Sequence, residues 1–76
     1  MKHEQIAPSK ERFKLILSRY VKHSGLEIEL TLKNGEIVTI SPQRKIEGDE
    51  IVQFLSNGEV RRIPLKDIRK AEIYAM

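Results

Sequence analysis

The chain has 76 residues, a formal net charge of +3 and no cysteine, and 39% of its residues are hydrophobic. This length accommodates one domain with a small core, and the lack of cysteine excludes disulfides and thiolate zinc sites. No apolar run approaches membrane-spanning length, so the sequence predicts a cytoplasmic protein with no signal peptide and no membrane partner.

The N-terminal third predicts a tail followed by one amphipathic helix. Residues 1–8 are expected to form a flexible tail, and residues 9–76 a single helix-plus-barrel domain. Ser9 is the predicted N-cap and Gly25 the residue that ends the helix in the left-handed conformation. Leu15 falls off the apolar stripe. The stripe has the i, i+3, i+4, i+7, i+8 spacing of a buried helix face and comprises Phe13, Ile16, Leu17, Tyr20 and Val21.

Two Asn-Gly pairs predict two β-hairpins. Asn34-Gly35 and Asn57-Gly58 each separate short runs rich in apolar residues. Asn-Gly favours the two-residue type I′ turn, in which both central residues have positive φ. In the first hairpin the alternation places Leu26, Ile28, Leu30 and Leu32 on one face, with Val38 and Ile40 inward on the second strand and Ile37 outward.

The remaining elements follow from proline, glycine and alternation. Pro42 is expected to end the second strand, and residues 43–50 to form a charged loop with a turn at Gly48-Asp49. The third strand, residues 51–55, carries apolar side chains on both faces, one for the core and one for the helix or a neighbour. After Pro64, residues 65–68 predict a 3₁₀ turn and residues 69–75 a last strand.

These elements predict a mainly β fold, a helix followed by a five-stranded antiparallel SH3/Sm-like barrel. The helix can bury its stripe only on the sheet. The residues expected beneath it are Leu30, Leu32, Val38, Val52 and Phe54.

The sequence offers no catalytic grouping. His3 and His23 lack metal-ligand spacing, and the four glycines are isolated turn residues rather than a phosphate loop. We therefore expect a protein that is not an enzyme and that has no metal site and no cofactor.

The charges are unevenly distributed. From Lys10 to Lys22 five cations accompany one acid, and from Glu59 to Lys70 five cations accompany two. This pattern predicts an anion-binding face on the helix and the fourth strand, for nucleic acid or a nucleotide. The predicted ligand-binding residues are Arg61, Arg62, Lys66, Arg69 and Lys70. The other interpretation is a solvated face whose arginines pair with Glu27, Glu29 or Glu72.

The two adjacent arginines are expected to differ in orientation and in their contribution to anion binding. Arg61 shares strand parity with the apolar Ile63, which places Arg61 in a cleft near Lys66 and Arg69, whereas Arg62 faces solvent. Replacing Arg61 by alanine is expected to weaken anion binding by about 1–3 kcal/mol, and the same change at Arg62 by much less.

Two resemblances carry the functional expectation further. Pro42, Arg61, Ile63, Leu65 and Ile68 resemble, in order and spacing, the C-terminal half of the WYL domain of bacterial transcriptional regulators. The succession of apolar, charged and turn residues in 28–36 and 62–68 is similar to that in the strands of the small Rho-binding antiterminator. The resemblances imply an Sm-like barrel and a regulatory role in transcription.

The predicted function is thus a non-catalytic regulatory or binding module for an anionic ligand. The alternative is a protein-interaction or self-assembly module, a homo-oligomer through barrel edges or exposed apolar residues. Leu15, Ile37 and the two-sided third strand favour this alternative.

Overall fold

The computed structural model describes residues 3–6 and 12–75 of the chain. It contains one α-helix, seven strands and one 3₁₀ turn in the described ranges. In chain order these are β1 (His3–Ile6), α1 (Phe13–Val21), β2 (Leu26–Leu32), β3 (Ile37–Ile40), β4 (Arg44–Glu47), β5 (Glu50–Phe54), β6 (Val60–Pro64), the 3₁₀ turn (Leu65–Asp67) and β7 (Ile68–Ala75).

The strands form two antiparallel sheets, so the predicted five-stranded barrel is wrong. The four-stranded sheet has the order β1-β7-β2-β3, and the three-stranded sheet has the order β4-β5-β6. The strands of residues 3–6 and 12–75 do not close into a barrel. The chain passes between the sheets at Ser41-Pro42-Gln43 and again at the 3₁₀ turn. The predicted 3₁₀ turn and the end of a strand before Pro42 are confirmed.

Strand β4 lies where a charged loop was predicted. Arg44–Glu47 pairs with β5 through the turn at Gly48, whose φ is +60°. Ile46 is the only apolar side chain of the strand, so the segment shows no alternation of apolar and polar residues. Backbone pairing with β5, rather than a hydrophobic face, makes it a strand.

Strand β1 lies within the predicted flexible tail. His3–Ile6 pairs antiparallel with the outer edge of β7. Ile6 is buried, the Tyr20 hydroxyl donates a hydrogen bond to the Glu4 carboxylate, and the His3 ring stacks on Tyr74 at 4.5 Å. The tail prediction is therefore wrong for residues 3–6, because these contacts come from elements distant in sequence.

Both Asn-Gly hairpins form, but with three-residue loops rather than type I′ turns. Gly35 and Gly58 have φ of +91° and +87°, whereas neither asparagine has a positive φ. The Gly35 amide donates to the Leu32 carbonyl and the Leu32 amide to Glu36, and the second loop repeats this pattern. This is a type I turn followed by a glycine bulge. Each asparagine Oδ1 instead accepts the backbone N–H two residues on.

Helix α1 buries the predicted stripe. Phe13, Leu17 and Val21 are buried, and Ile16 and Tyr20 pack partly against the core. The predicted N-cap, Ser9, lies outside the described residues. Gly25 is not the left-handed cap, since the helix ends at Val21 and Gly25 has no positive φ. The helix packs on β4 and β2.

The assignment of Val52 and Phe54 to the core beneath the helix is wrong. Ile51 and Gln53 face the core, while Val52 and Phe54 point to the outer face of the three-stranded sheet. Gln53 is 2% exposed, and its Oε1 accepts the Ser41 backbone N–H at 3.0 Å. A polar residue with a hydrogen-bonded amide therefore occupies a core position of β5, on the face opposite to the one predicted to lie beneath the helix.

Within residues 3–6 and 12–75, no helix has the length and apolar character that a membrane crossing requires.

Candidate functional site

The two arginines of β6 are paired with carboxylates. Arg61 Nη2 lies 2.9 Å from Glu36 Oε2 on the β2–β3 hairpin. Arg62 Nη1 lies 3.4 Å from Glu47 and 3.3 Å from Glu50. Pairing was one of the two interpretations of the sequence, although the partners expected there were other glutamates. Both arginines therefore have carboxylate partners within the molecule, Arg61 in one close pair and Arg62 in two longer contacts through a single nitrogen.

Arg62 also has a structural role on the outer face of the three-stranded sheet. Val52 is 1% exposed although it points outward, and Lys45 and Arg62 stand directly opposite it on the two neighbouring strands. Glu47 joins them, with Lys45 Nζ at 3.1 Å. The long stems of such side chains cover apolar surface while their charged ends stay in water. The side chains of this ion network thus cover Val52 and exclude solvent from it.

The other predicted site cations lie on different elements. Lys66 is exposed on the 3₁₀ turn and Arg69 is exposed on β7. Lys70 Nζ pairs with Glu72 Oε1 at 3.2 Å. In the described part of the chain neither Lys66 nor Arg69 has a carboxylate within 4.0 Å. Three of the five predicted cations thus have carboxylate partners, and the five are divided between two sheets and a turn.

The outer face of α1 carries a cationic stripe that has no acidic partner among the described residues. At 100° per residue, Arg12, Leu15, Arg19 and Lys22 fall within an arc of about 80°, opposite the buried face. All four are exposed, and Leu15 is 53% exposed. No carboxylate of residues 3–6 or 12–75 lies within 4.0 Å of the three cations. We call these four residues the helix face.

The local sequence explains this face. From Arg12 to Lys22 every charged residue is a cation. Among these cations, Lys14 alone has an acidic partner in residues 3–6 and 12–75; it lies to one side of the helix face, with Asp49 Oδ1 at 3.0 Å. The charge count had indicated the helix, but the predicted site residues came from the β6–β7 segment alone.

A surface depression of 620 Å³ adjoins the C-terminal end of the helix face. Lys22, His23 and Gly25 help to line it. In the described ranges no group of three or more histidine, aspartate or glutamate side chains could hold a metal ion. Lys22 is the one member of the helix face in this lining, which Ser24, Leu26 and Ala75 complete.

Arg44 has a structural role that the sequence analysis did not predict. Its Nε donates to the Val21 carbonyl at 3.1 Å, and its Nη2 donates to the carbonyls of Tyr20, His23 and Leu26 at 3.3, 2.7 and 3.0 Å. Burial lowers the pKa of the Arg44 guanidinium below its usual range. These carbonyls include ones left unpaired at a helix end. Arg44 therefore caps α1 and fixes the turn that leads to β2.

The ion network over Val52 predicts a pH dependence of stability. Hydrogen bonding from Lys45, and then from Arg62, holds the pKa of Glu47 below its ordinary value. A carboxyl with a depressed folded-state pKa contributes stability above its unfolded pKa and loses it as pH falls through the folded value. We expect the free energy of unfolding to fall as pH drops from about 5 to about 3, and Glu47→Gln to make that fall shallower. Urea titrations at several pH values measure both, and parallel curves for the two proteins would contradict the assignment.

No protein-family model and no curated protein matches this chain, so the comparisons with known proteins identify no family for it.

Proposed function

We propose that this protein is a non-catalytic module that binds the phosphate backbone of nucleic acid through the helix face. The observation that carries the proposal is the stripe of Arg12, Arg19 and Lys22, exposed and without carboxylate partners in the described residues. By contrast, the arginines of β6 are already paired. Because an unpaired surface cation releases counterions when it meets a phosphate, these helix residues supply the favourable charge contacts.

The dimensions of the helix face suit a polyanion. Arg12 and Lys22 are ten residues apart, which corresponds to about 15 Å along the helix axis. Double-stranded DNA carries one negative charge per about 1.7 Å of its axis, so several phosphates fall within that span. A helix is also about as wide as the major groove. Leu15, in the middle of the stripe, is available for contact with a sugar or a base edge.

Neutralising the helix face should weaken nucleic-acid binding and its dependence on salt. We expect Arg19→Gln and Lys22→Gln each to lower the affinity for a fluorescent DNA duplex severalfold at low salt. Each should also reduce the slope of log K against log salt by about 0.9, the value for one lost phosphate contact. Fluorescence anisotropy over a salt series measures both quantities.

The matched control is Lys33→Gln, which removes the same charge from the β2–β3 turn. It should leave the affinity nearly unchanged. Equal losses for all three variants would show a diffuse electrostatic effect and contradict a site on the helix. The affinity of Arg61→Ala for the same duplex tests the cleft that the sequence predicted. A loss for this variant and none for the helix variants would favour the cleft over the helix face.

Light scattering of the same sample tests the alternative function. A stable oligomer with no retention on an immobilised polyanion at low salt would overturn nucleic-acid binding and favour self-assembly. We place the protein in the cytoplasm, a compartment in which a chain without cysteine loses no disulfide stabilisation.

A further inference from the structure

The outer edge of β6 has backbone groups without partners in the described part of the chain. β6 pairs only with β5 there. Leu55 and Glu59 close the hairpin with a backbone bond, so the alternation of an antiparallel pair points the N–H and C=O of Val60 and Arg62 away from β5. The Phe54 amide, which donates to Gln43 on the far side of β5, agrees with this alternation. The edge therefore offers two donors and two acceptors to an added strand.

An apolar pair lies beside this edge. Phe54 and Val60 stand opposite each other on the outer face of the sheet, 42% and 51% exposed. Arg62 and Pro64 follow Val60 on the same face. Pro64 has no N–H, and an edge position that points outward tolerates this. Along the edge the face thus reads apolar, cationic, apolar.

The guanidinium of Arg62 has capacity for another carboxylate. Its two contacts, with Glu47 and Glu50, both use Nη1 and are long. Its Nε and Nη2 have no acceptor among residues 3–6 and 12–75. A carboxylate that approaches these two nitrogens completes a bidentate pair, the strongest arrangement an arginine makes.

We propose that the β6 edge binds an extended segment of another protein, which adds as a strand to the three-stranded sheet. Side chains of an added strand lie opposite those of β6 at every second position. The segment should therefore carry an apolar, an acidic and an apolar residue at alternate positions, facing Val60, Arg62 and Pro64. This surface is separate from the helix face and does not depend on nucleic-acid binding.

A second copy of this chain fits the edge poorly. Antiparallel pairing of β6 with its own copy about Arg61 or Arg62 sets that arginine against itself, and like charges directly opposite are destabilising. Pairing about Val60 extends the ladder to Gly58, whose N–H already donates to Leu55 within the hairpin. Shifting the register towards Pro64 loses a donor. No strand in the described residues carries the apolar, acidic, apolar pattern at alternate positions. The occupant we propose is therefore a segment of another protein, and a strand of this chain is an outcome that the test distinguishes.

The test uses a capped heptapeptide, Thr-Val-Thr-Glu-Thr-Val-Thr, and the whole chain. We expect saturable binding by calorimetry, with amide shift changes centred on Val60 to Arg62. A peptide with lysine in place of glutamate should bind about tenfold more weakly, a difference of about 1.4 kcal/mol. A peptide whose bonding amides are N-methylated should not bind, because it cannot complete the ladder.

Two variants of the protein separate backbone from side-chain recognition. Val60→Pro removes an outward donor and should abolish binding, whereas Val60→Thr keeps the donor and should retain most of it. Arg62→Met keeps a stem over Val52 and should erase the preference for glutamate over lysine. Should Val60→Pro fail to fold, the N-methylated peptide still decides the question. Binding that survives N-methylation, no binding at millimolar peptide, or self-association blocked by Val60→Pro would each overturn the proposal.

Discussion

Replacing Leu17 by alanine is expected to lower the free energy of unfolding by about 3 kcal/mol, a large part of the stability of so small a domain. Leu17 is completely buried in the core that α1 shares with the two sheets. The substitution removes three carbon atoms from the core, with their van der Waals contacts, and leaves a cavity that the strands cannot fill. Urea denaturation followed by circular dichroism measures the loss.

The matched control is Leu15→Ala, on the same helix but 53% exposed. We expect a change within about 0.5 kcal/mol, as for other surface positions. Equal losses at Leu15 and Leu17 would mean that the helix does not dock through its buried stripe. Because Leu15 belongs to the helix face, the same variant also reports whether that leucine contributes to DNA binding.

Replacing Arg44 by alanine is expected to destabilise the protein by about 3 kcal/mol. Hydrogen bonds from a charged donor are worth about 1.5–3 kcal/mol each, and we discount the set of four because Arg44 is partly exposed. The loss leaves the carbonyls of Val21, His23 and Leu26 without this donor. Amide exchange should show α1 and the start of β2 opening more readily than in the parent protein.

Two conservative variants separate charge from packing at this position. Arg44→Met keeps the apolar stem and should lose nearly as much stability as Arg44→Ala. Arg44→Lys supplies one ammonium in place of the planar guanidinium, so it should recover only part of the loss. A cost below about 1 kcal/mol for Arg44→Met would show that the four carbonyls find water instead, and would remove Arg44 as the cap.

Elements with a strong local signal could be predicted from the sequence. The stripe of α1 and the apolar face of β2 are each repeated over several residues and agree with the burial observed, although Thr31 on the opposite face of β2 is also buried. The glycines of the turns are also a local signal, because positive φ strains any residue with a Cβ. The detailed turn type was wrong, since a glycine bulge and a type I′ turn can share the same Asn-Gly pair.

The candidate site was predicted only in part. The net charge of residues 10–22 indicated the helix. Arg12, Arg19 and Lys22 are exposed and have no carboxylate within 4.0 Å in the described residues. The partners of Arg61 and Arg62 could not be predicted, because Glu36 and Glu47 reach them from other hairpins. Charge patterning counts residues, whereas pairing depends on which strands the fold brings together.

By itself, the sequence determined that this chain has one amphipathic helix, two Asn-Gly hairpins and a β-rich core. Only the tertiary structure decided that β1 and β4 are strands, that Gln53 points inward and that two sheets form instead of a barrel. The physical reason is that the contacts stabilising these strands come from residues distant in the sequence. β1 and β4 each carry a single apolar side chain that packs against the core, so backbone pairing with distant strands stabilises them. Arg44 caps a helix more than twenty residues earlier in the chain, and no periodicity within the segment itself encodes that contact.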